Sequence, residues 1–272
     1  MSSFKNKTVL ITGGASGIGL LMGKRVLEEK AAHLIIWDVN DKNINQAKKK
    51  LQKYRGQVDV HRVDIARPDE IQKAARQVAE QFSQVDFLIN NAAIVAGKSF
   101  EEHSTEDINC TIAVNLTGAM HVTNAFLPAM IKNHSGHIVN IASAAGLMAN
   151  PKMSVYAASK WGVIGWSESL RIELEQKQAG LRVTTVEPSY INTGMFAGVK
   201  PPLLTPLLEP EEISAAIIRA VQQNKILLRK PFMVKMIPLL KGILPSRMFD
   251  FIAGKLFSVY SSMDSFEGRN PK

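Results

Sequence analysis

Residues 8–19 read Thr-Val-Leu-Ile-Thr-Gly-Gly-Ala-Ser-Gly-Ile-Gly, an apolar strand pattern that runs into a glycine-rich turn and then into a helical pattern. Glycine allows backbone φ above zero and lets a second group approach with no Cβ in the way. The helix that follows offers unpaired N–H groups and the positive end of its dipole, which together favour a phosphate. Gly13, Gly17 and Gly19, with Ser16 and Ile18 between them, therefore mark a seat for a nucleotide pyrophosphate. The spacing G-x-x-x-G-x-G differs from the commoner G-x-G-x-x-G. Its weight comes from its position between strand and helix.

The rest of the chain repeats this alternation. Short apolar runs at 9–12, 34–37, 58–63, 87–89, 136–141 and 181–186 read as six strands. Helical patterns occupy 18–30, 41–54, 68–82, about 105–132, 155–178 and 210–223. Near-continuous apolar strands separated by helices predict an α/β fold with a doubly wound parallel sheet of the Rossmann type, covered on both faces. Ligands of such sheets sit beyond the C-terminal strand ends. With 272 residues, 46% of them apolar, the chain can fill a substantial core. One catalytic domain is expected over 1–230, including a substrate loop at 190–208, with an apolar and basic helical extension over 231–272 on or beside it.

Other candidates follow the strands. Asp38 closes the second, where a carboxylate can accept hydrogen bonds from a ribose 2′-hydroxyl and would repel a 2′-phosphate. No Lys or Arg stands inside the glycine turn to offset it, so NAD is expected over NADP. Asp64 and Ile65 follow the third strand, where an adenine edge would lie. Asn91 and Ala92 follow the fourth, the Asn supplying side-chain hydrogen bonds and the Ala allowing close backbone approach.

Tyr156 and Lys160 stand four apart and so share one helix face. A phenol titrates near pH 10, too high for free proton exchange at neutrality. A nearby ammonium stabilises the phenolate and is expected to lower that value. Tyr156 can then be the acid in carbonyl reduction or the base in alcohol oxidation. Ser143, after the fifth strand, can hold the substrate oxygen. Asn115 is expected to bind a water that connects Lys160 to solvent.

These elements place a resemblance beyond the single motif. Thr12-Gly-Gly-Ala-Ser-Gly-Ile-Gly19, Asn90-Asn-Ala92, Asn115, Ser143 and Tyr156-Ala-Ala-Ser-Lys160 together resemble the short-chain dehydrogenase/reductase family in order and spacing. The resemblance covers about residues 5–230. It implies hydride exchange with a nicotinamide cofactor, a homodimer or homotetramer, and Lys160 bonded to the nicotinamide ribose. It also implies that Pro188, Ile191 and Thr193 lie on the nicotinamide side. Ala93 and Ser189 stand where the family commonly has Gly, so adjusted geometry is expected there.

The segment after the sixth strand carries Met195, Phe196, Val199, Leu203 and Leu204 with few charges, which suits a lipophilic substrate. Leu34-Ile-Ile-Trp-Asp-Val-Asn40 and the long tail resemble the branch that oxidises retinol and hydroxysteroids. A 3-oxoacyl carrier-protein reductase resembles the chain at the same motifs, although Asp38 opposes its usual NADP. A non-catalytic NAD-binding or membrane-associated scaffold is the reading from another class.

Charge and composition exclude other classes. The net charge is +9. Residues 224–272 hold nine Lys/Arg and three Asp/Glu among many apolar side chains. Basic and apolar together suit an anionic lipid surface, as they also suit a lid over a greasy pocket or a subunit contact. No nucleic-acid module is visible, and the six histidines show no metal spacing. A single cysteine, Cys110, read as a buried inert thiol, fits a reducing compartment. No secretory signal or spanning helix is expected. The expected location is therefore cytoplasmic, with peripheral membrane contact, if there is any, falling to 231–272.

Overall fold

The computed structural model describes residues 1–268; the last four residues of the expected extension lie outside that range. The strands are β1 (Thr8–Thr12), β2 (His33–Asp38), β3 (Val58–Arg62), β4 (Phe87–Asn90), β5 (Gly136–Ile141), β6 (Leu181–Pro188) and β7 (Leu227–Lys230). They form one sheet in the order β3-β2-β1-β4-β5-β6-β7. Every neighbouring pair is parallel. The helices are α1 (Gly17–Glu28), α2 (Asp41–Lys50), α3 (Pro68–Gln81), α4 (Thr105–Ile112), α5 (Gly118–Lys132), α6 (Ser154–Gln176), α7 (Pro210–Gln222), α8 (Phe232–Ile243) and α9 (Ser246–Phe251).

Both sheet faces are covered, which explains why the central strands lack polar alternation. On one face Val9, Ile11, Leu34 and Ile36 pack with α1 and α7 through Val26, Ile217 and Val221. On the other Leu10, Ile35 and Leu88 pack with α3, α5 and α6 through Ile71, Val122 and Leu170. Each such buried Val, Leu or Ile contributes about 1.5–3 kcal/mol over an exposed one. Local signals set the helix starts. Pro68 opens α3, with Asp69 and Glu70 in the first turn. Ser104 caps α4 in a box with Asp107. Asn40 accepts the Asn43 N–H at the start of α2.

Strand order reverses at β1, whose neighbours are β2 and β4. The connections leave on opposite faces there and open a crevice at the strand tips. This is where the glycine turn lies.

Two expectations need correction. A seventh strand, β7, extends the sheet; it is four residues long, half-buried and basic, so it lacks the apolar run of its neighbours. Its Arg229 pairs with the buried Glu187 of β6 at 2.6 Å. The helical stretch 105–132 is present as expected and carries a π-helical turn, Ala113–Thr117, between α4 and α5. The helix expected over 41–54 ends at Lys50 and gives way to a single tight turn, Gln52–Tyr54.

After β7, α8 and α9 are followed by a π-helical turn, Ile252–Leu256, and a short turn, Val259–Ser261. The chain then returns toward the strand tips, where the Glu267 N–H donates to the Ala197 carbonyl.

Candidate active site

The crevice is floored by the glycine turn. Gly13 has φ +62°, and a Cβ on it would stand 2.8 Å from the Ala92 Cα. A Cβ on Gly19 would meet the Gly13 carbonyl oxygen at 2.4 Å and the Asn91 amide nitrogen at 2.6 Å. The turn therefore packs backbone against backbone, and α1 begins directly beneath the open space. Gly17 and Ile18 line that space, as does Ser16, the N-cap of α1.

Asn91 and Asp38 hold this turn. The Asn91 side-chain amide donates to the carbonyls of Thr12 and Gly13, each at 3.0 Å. Its backbone N–H donates to Thr12 Oγ1. The Asp38 carboxylate is 9% exposed and accepts the backbone N–H groups of Ala15 at 3.1 Å and Asn40 at 3.0 Å. An ionised carboxylate has about four lone-pair sites, so capacity remains on the cleft side, which Asp38 lines. Lys160 is the only cation among the described residues that line the crevice, and it lies at the other end.

Asp64 and Ile65 line the wall beyond β3, with the Ala66 N–H on Asp64 Oδ1. Ala92 lines it beyond β4. Val39 and Ile94 are large apolar side chains exposed in the crevice, at 50% and 41%. Trp37 and Asn43 line it too, and none of these four residue types announces a site in the sequence.

The chemical end is built from β5, α6 and the loop after β6. Ser143, Tyr156 and Lys160 all line the crevice, with Pro188, Ile191 and Thr193 opposite. Tyr156 is 4% exposed, and the Ser143 hydroxyl acts on its phenol. The Ser143 hydroxyl also accepts the Ala145 N–H at 3.1 Å. Phe196 stands edge-on to Tyr156 at 6.1 Å between centroids, and Tyr190 meets Phe196 in turn at 5.1 Å.

One sequence expectation changes here. Burial pushes the Tyr156 phenol up to about 12, against a smaller downward pull from the Ser143 hydrogen bond. The expected acidification by Lys160 does not appear. The Lys160 ammonium is 5.7 Å from the phenol ring centroid and donates to the Ile141 carbonyl at 2.8 Å. Burial also lowers Lys160 itself, to about 8. Asn115 does not itself line the crevice. Its Oδ1 accepts the Ile94 N–H at 2.8 Å, and its Nδ2 donates to the Ile94 carbonyl and to Ser159 Oγ. The amide oxygen keeps a second lone pair. These bonds tie the loop after β4 to α6 from the π-helical turn that carries Asn115.

Tyr190 was missed as a site residue, since an isolated Tyr carries no signal. Its hydroxyl meets Asn150 at 2.7 Å and Ser262 at 2.9 Å. This bond set joins the loop after β6 to the segment before α6 and to the C-terminal segment. Met263 is also packed in a cluster with Tyr156 and Tyr190. Cys110 lies on α4, half-buried rather than buried, with its thiol toward Glu106. No cluster of metal-ligating side chains occurs among the described residues.

The glycine seat, the carboxylate at the β2 tip and the Ser-Tyr-Lys group thus occupy one crevice of a doubly wound sheet. Comparison with known proteins agrees. The short chain dehydrogenase family model matches residues 7–203. Epidermal retinol dehydrogenase 2 of Mus musculus is 39% identical over 269 residues, covering 97% of this chain and 86% of that protein. Estradiol 17-beta-dehydrogenase 11 of Rattus norvegicus is 33% identical over 257 residues, covering 93% and 85%. Among solved structures, a short-chain dehydrogenase/reductase from Burkholderia phymatum in complex with NAD has TM-score 0.81 at 24% identity, covering 89% of this chain and 95% of that one. A metagenomic short-chain oxidoreductase in complex with NADP has TM-score 0.71 at 26% identity, covering 85% and 100%.

The chain belongs to the short-chain dehydrogenase/reductase family, in a branch like the retinol and 17-beta-hydroxysteroid dehydrogenases. It is an oxidoreductase that acts on CH–OH groups with a nicotinamide dinucleotide.

Proposed function

We propose that the protein interconverts a lipophilic secondary or allylic alcohol and its ketone or aldehyde, with NAD(H) as cofactor. The observation that carries the NAD assignment is Asp38. It is a buried carboxylate at the tip of β2, tied to the glycine turn by the Ala15 N–H, with no described cation lining that end of the crevice. A 2′-phosphate brought there would meet negative charge without compensation.

The seat fits the group. Residues that leave no room for a Cβ, a helix start beneath the opening, and apolar walls at Val39 and Ile94 suit pyrophosphate and ring systems. When bound, the dinucleotide supplies the hydride acceptor or donor. Gly13, Ser16, Gly17, Ile18 and Gly19 would hold its phosphates, and Asp38 the adenosine ribose. Lys160 would hold the second ribose, with Thr193 and Ile191 near the carboxamide.

Tyr156 moves the proton. As a phenol held near 12, it is protonated at neutral pH and ready to give its proton to a substrate carbonyl oxygen. Ser143 holds that oxygen. In the opposite direction Tyr156 must act as phenolate, which positive charge has to stabilise. The Lys160 ammonium is the cation this chain provides for that purpose.

A second chamber supports a lipophilic substrate. It shares Ser143, Ser189 and Phe196 with the crevice and is lined further out by Met148, Val234 and Ile237. Retinol and estradiol, named for the relatives, are lipophilic alcohols of this kind. The residue division that goes with this reading is a catalytic domain over 1–230 and an extension over 231–272. A homo-oligomer in the cytoplasm or against a membrane is part of the same reading, supported by the family and by the single cysteine.

Titrating NADH and NADPH by fluorescence tests the cofactor. NADH should bind at least tenfold tighter; equal or reversed affinities overturn the Asp38 assignment. A screen with NAD across retinol, hydroxysteroids and long-chain secondary alcohols tests the substrate class. Turnover confined to small polar alcohols would overturn it.

A further inference from the structure

The extension exposes an unusual amount of apolar surface. Phe232, Leu239, Ile243, Met248, Phe251 and Leu256 are between 49% and 71% exposed. On α8, Phe232, Leu239 and Ile243 fall at i, i+7 and i+11, which is one stripe. The opposite side of α8 is the packed one, with Val234 buried and Ile237 and Leu240 against Phe249. Leu203 and Leu204, 59% and 63% exposed, join this surface, because the Leu203 N–H donates to the Phe257 carbonyl. An exposed apolar surface of this kind marks a contact site.

Charge decides the occupant. Residues 231–263 contain four cations, Lys235, Lys241, Arg247 and Lys255, against one acid, Asp250. Asp250 is already taken by the Tyr260 hydroxyl at 2.7 Å. Lys241 pins the extension to the catalytic domain, with its ammonium 4.0 Å from the Trp161 ring centroid and donating to the Leu147 carbonyl. Lys235, Arg247 and Lys255 make no ion pair with any described carboxylate. A second copy docked on this face by two-fold symmetry would set like charges against like. An anionic phospholipid surface answers both the apolar stripe and the cations. Spanning is excluded for α8, because its 12 residues reach about 18 Å against a hydrocarbon core of about 30 Å.

The interior points the same way. An outer apolar chamber, lined by Leu203, Met233, Leu240, Phe249 and Phe257 among others, has Thr205 as its one polar residue. It shares Met148, Pro202, Thr205, Ile237 and Val259 with the second chamber, which shares Ser143 and Phe196 with the crevice. Polarity falls from the crevice outward, and the half-exposed Leu203 stands at the outer rim. This order suits a molecule with a hydroxyl at one end and a hydrocarbon body behind it.

We propose that residues 232–257, with Leu203 and Leu204, form an interfacial docking surface for anionic phospholipid bilayers, and that the chambers beneath it admit the alcohol from the bilayer, hydroxyl first. The delivery step rests on the function proposed above; the docking does not.

Flotation of the full chain with vesicles tests this. The probes are phosphatidylcholine alone and phosphatidylcholine containing about a third phosphatidylserine. Wild type is expected to float with the anionic vesicles, and less as salt rises. The variants Ile243→Asp/Phe251→Asp and Lys235→Glu/Arg247→Glu/Lys255→Glu should each bind at least tenfold more weakly. These side chains are exposed, so circular dichroism and NADH binding should match wild type. Absence of flotation, or equal flotation of all three proteins, overturns the docking surface. So does light scattering in which either variant dissociates an oligomer in the absence of vesicles, because the face would then be a subunit contact. Turnover of a soluble alcohol without flotation leaves the site standing and removes the surface. Flotation without any alcohol turnover does the reverse.

Discussion

The tips of β1 and β4 and the C-terminal extension are both open surfaces, but they are built on opposite terms. At the tips the fit is backbone to backbone. Gly13, Gly19, Asn91 and Asp38 leave space for a ligand and almost none for another residue. In the extension side chains make the contacts, and many apolar ones face outward. A surface set by backbone has few solutions and leaves a strong trace in sequence. A surface set by side-chain bulk has many. The first suits a cofactor of fixed shape, and the second suits a fluid or variable partner.

Substitutions can break this contrast. Gly19→Val carries the largest expected effect, since even a Cβ there meets a backbone carbonyl at 2.4 Å. Dinucleotide affinity should fall at least about a hundredfold, with a stability loss of about 3 kcal/mol or more, read by NADH titration and urea unfolding. A variant with near-normal affinity would show that the turn yields as side chains do.

Lys160→Met sharpens the comparison, because it should separate function from stability. Lys160 falls to about 8 in the folded chain, against an ordinary 10.5. Between those values the unfolded chain holds a proton that the folded chain lacks, so stability rises with pH across that window, and the cost is full below it. At pH 7 the variant should lose most turnover yet gain about 1–2 kcal/mol, the gain being reduced by the orphaned Ile141 carbonyl. Urea midpoints at pH 7 and pH 10 check this, and the gap should shrink at the higher pH.

Tyr190→Phe carries the smallest effect. It removes a hydroxyl that joins Asn150 and Ser262 and so couples the two regions. The expected cost is about 1–2 kcal/mol, with a raised KM for the lipophilic alcohol and unchanged NADH affinity. An unchanged KM would mean that the C-terminal segment does not shape the substrate space.

The same contrast governs what could be read from the residues alone. The glycine turn, Asp38, Ser143 and the Tyr156–Lys160 pair were legible because each answers a local demand next to a strand. β7 was not, because its burial depends on β6 and on the Glu187–Arg229 pair rather than on its own pattern. The bond from Asn115 to Ile94 was not legible, because the two residues lie 21 apart. The expected acidity of Tyr156 failed for a related reason. Helical spacing places an ammonium nearby, but burial of the phenol is a property of the whole fold, and burial wins. Tyr190 and Ser262 became visible as partners only through the return of the chain after α9.

The central claim is that the Tyr156 hydroxyl is the proton carrier beside a bound dinucleotide. Tyr156→Phe, measured for NADH affinity and for turnover of the same alcohol, tests it most directly. Affinity should stay within about threefold of wild type and turnover should fall by about a thousandfold, within the range set by loss of a general acid. Retention of more than about a tenth of the turnover, or a parallel loss of cofactor binding, would contradict it.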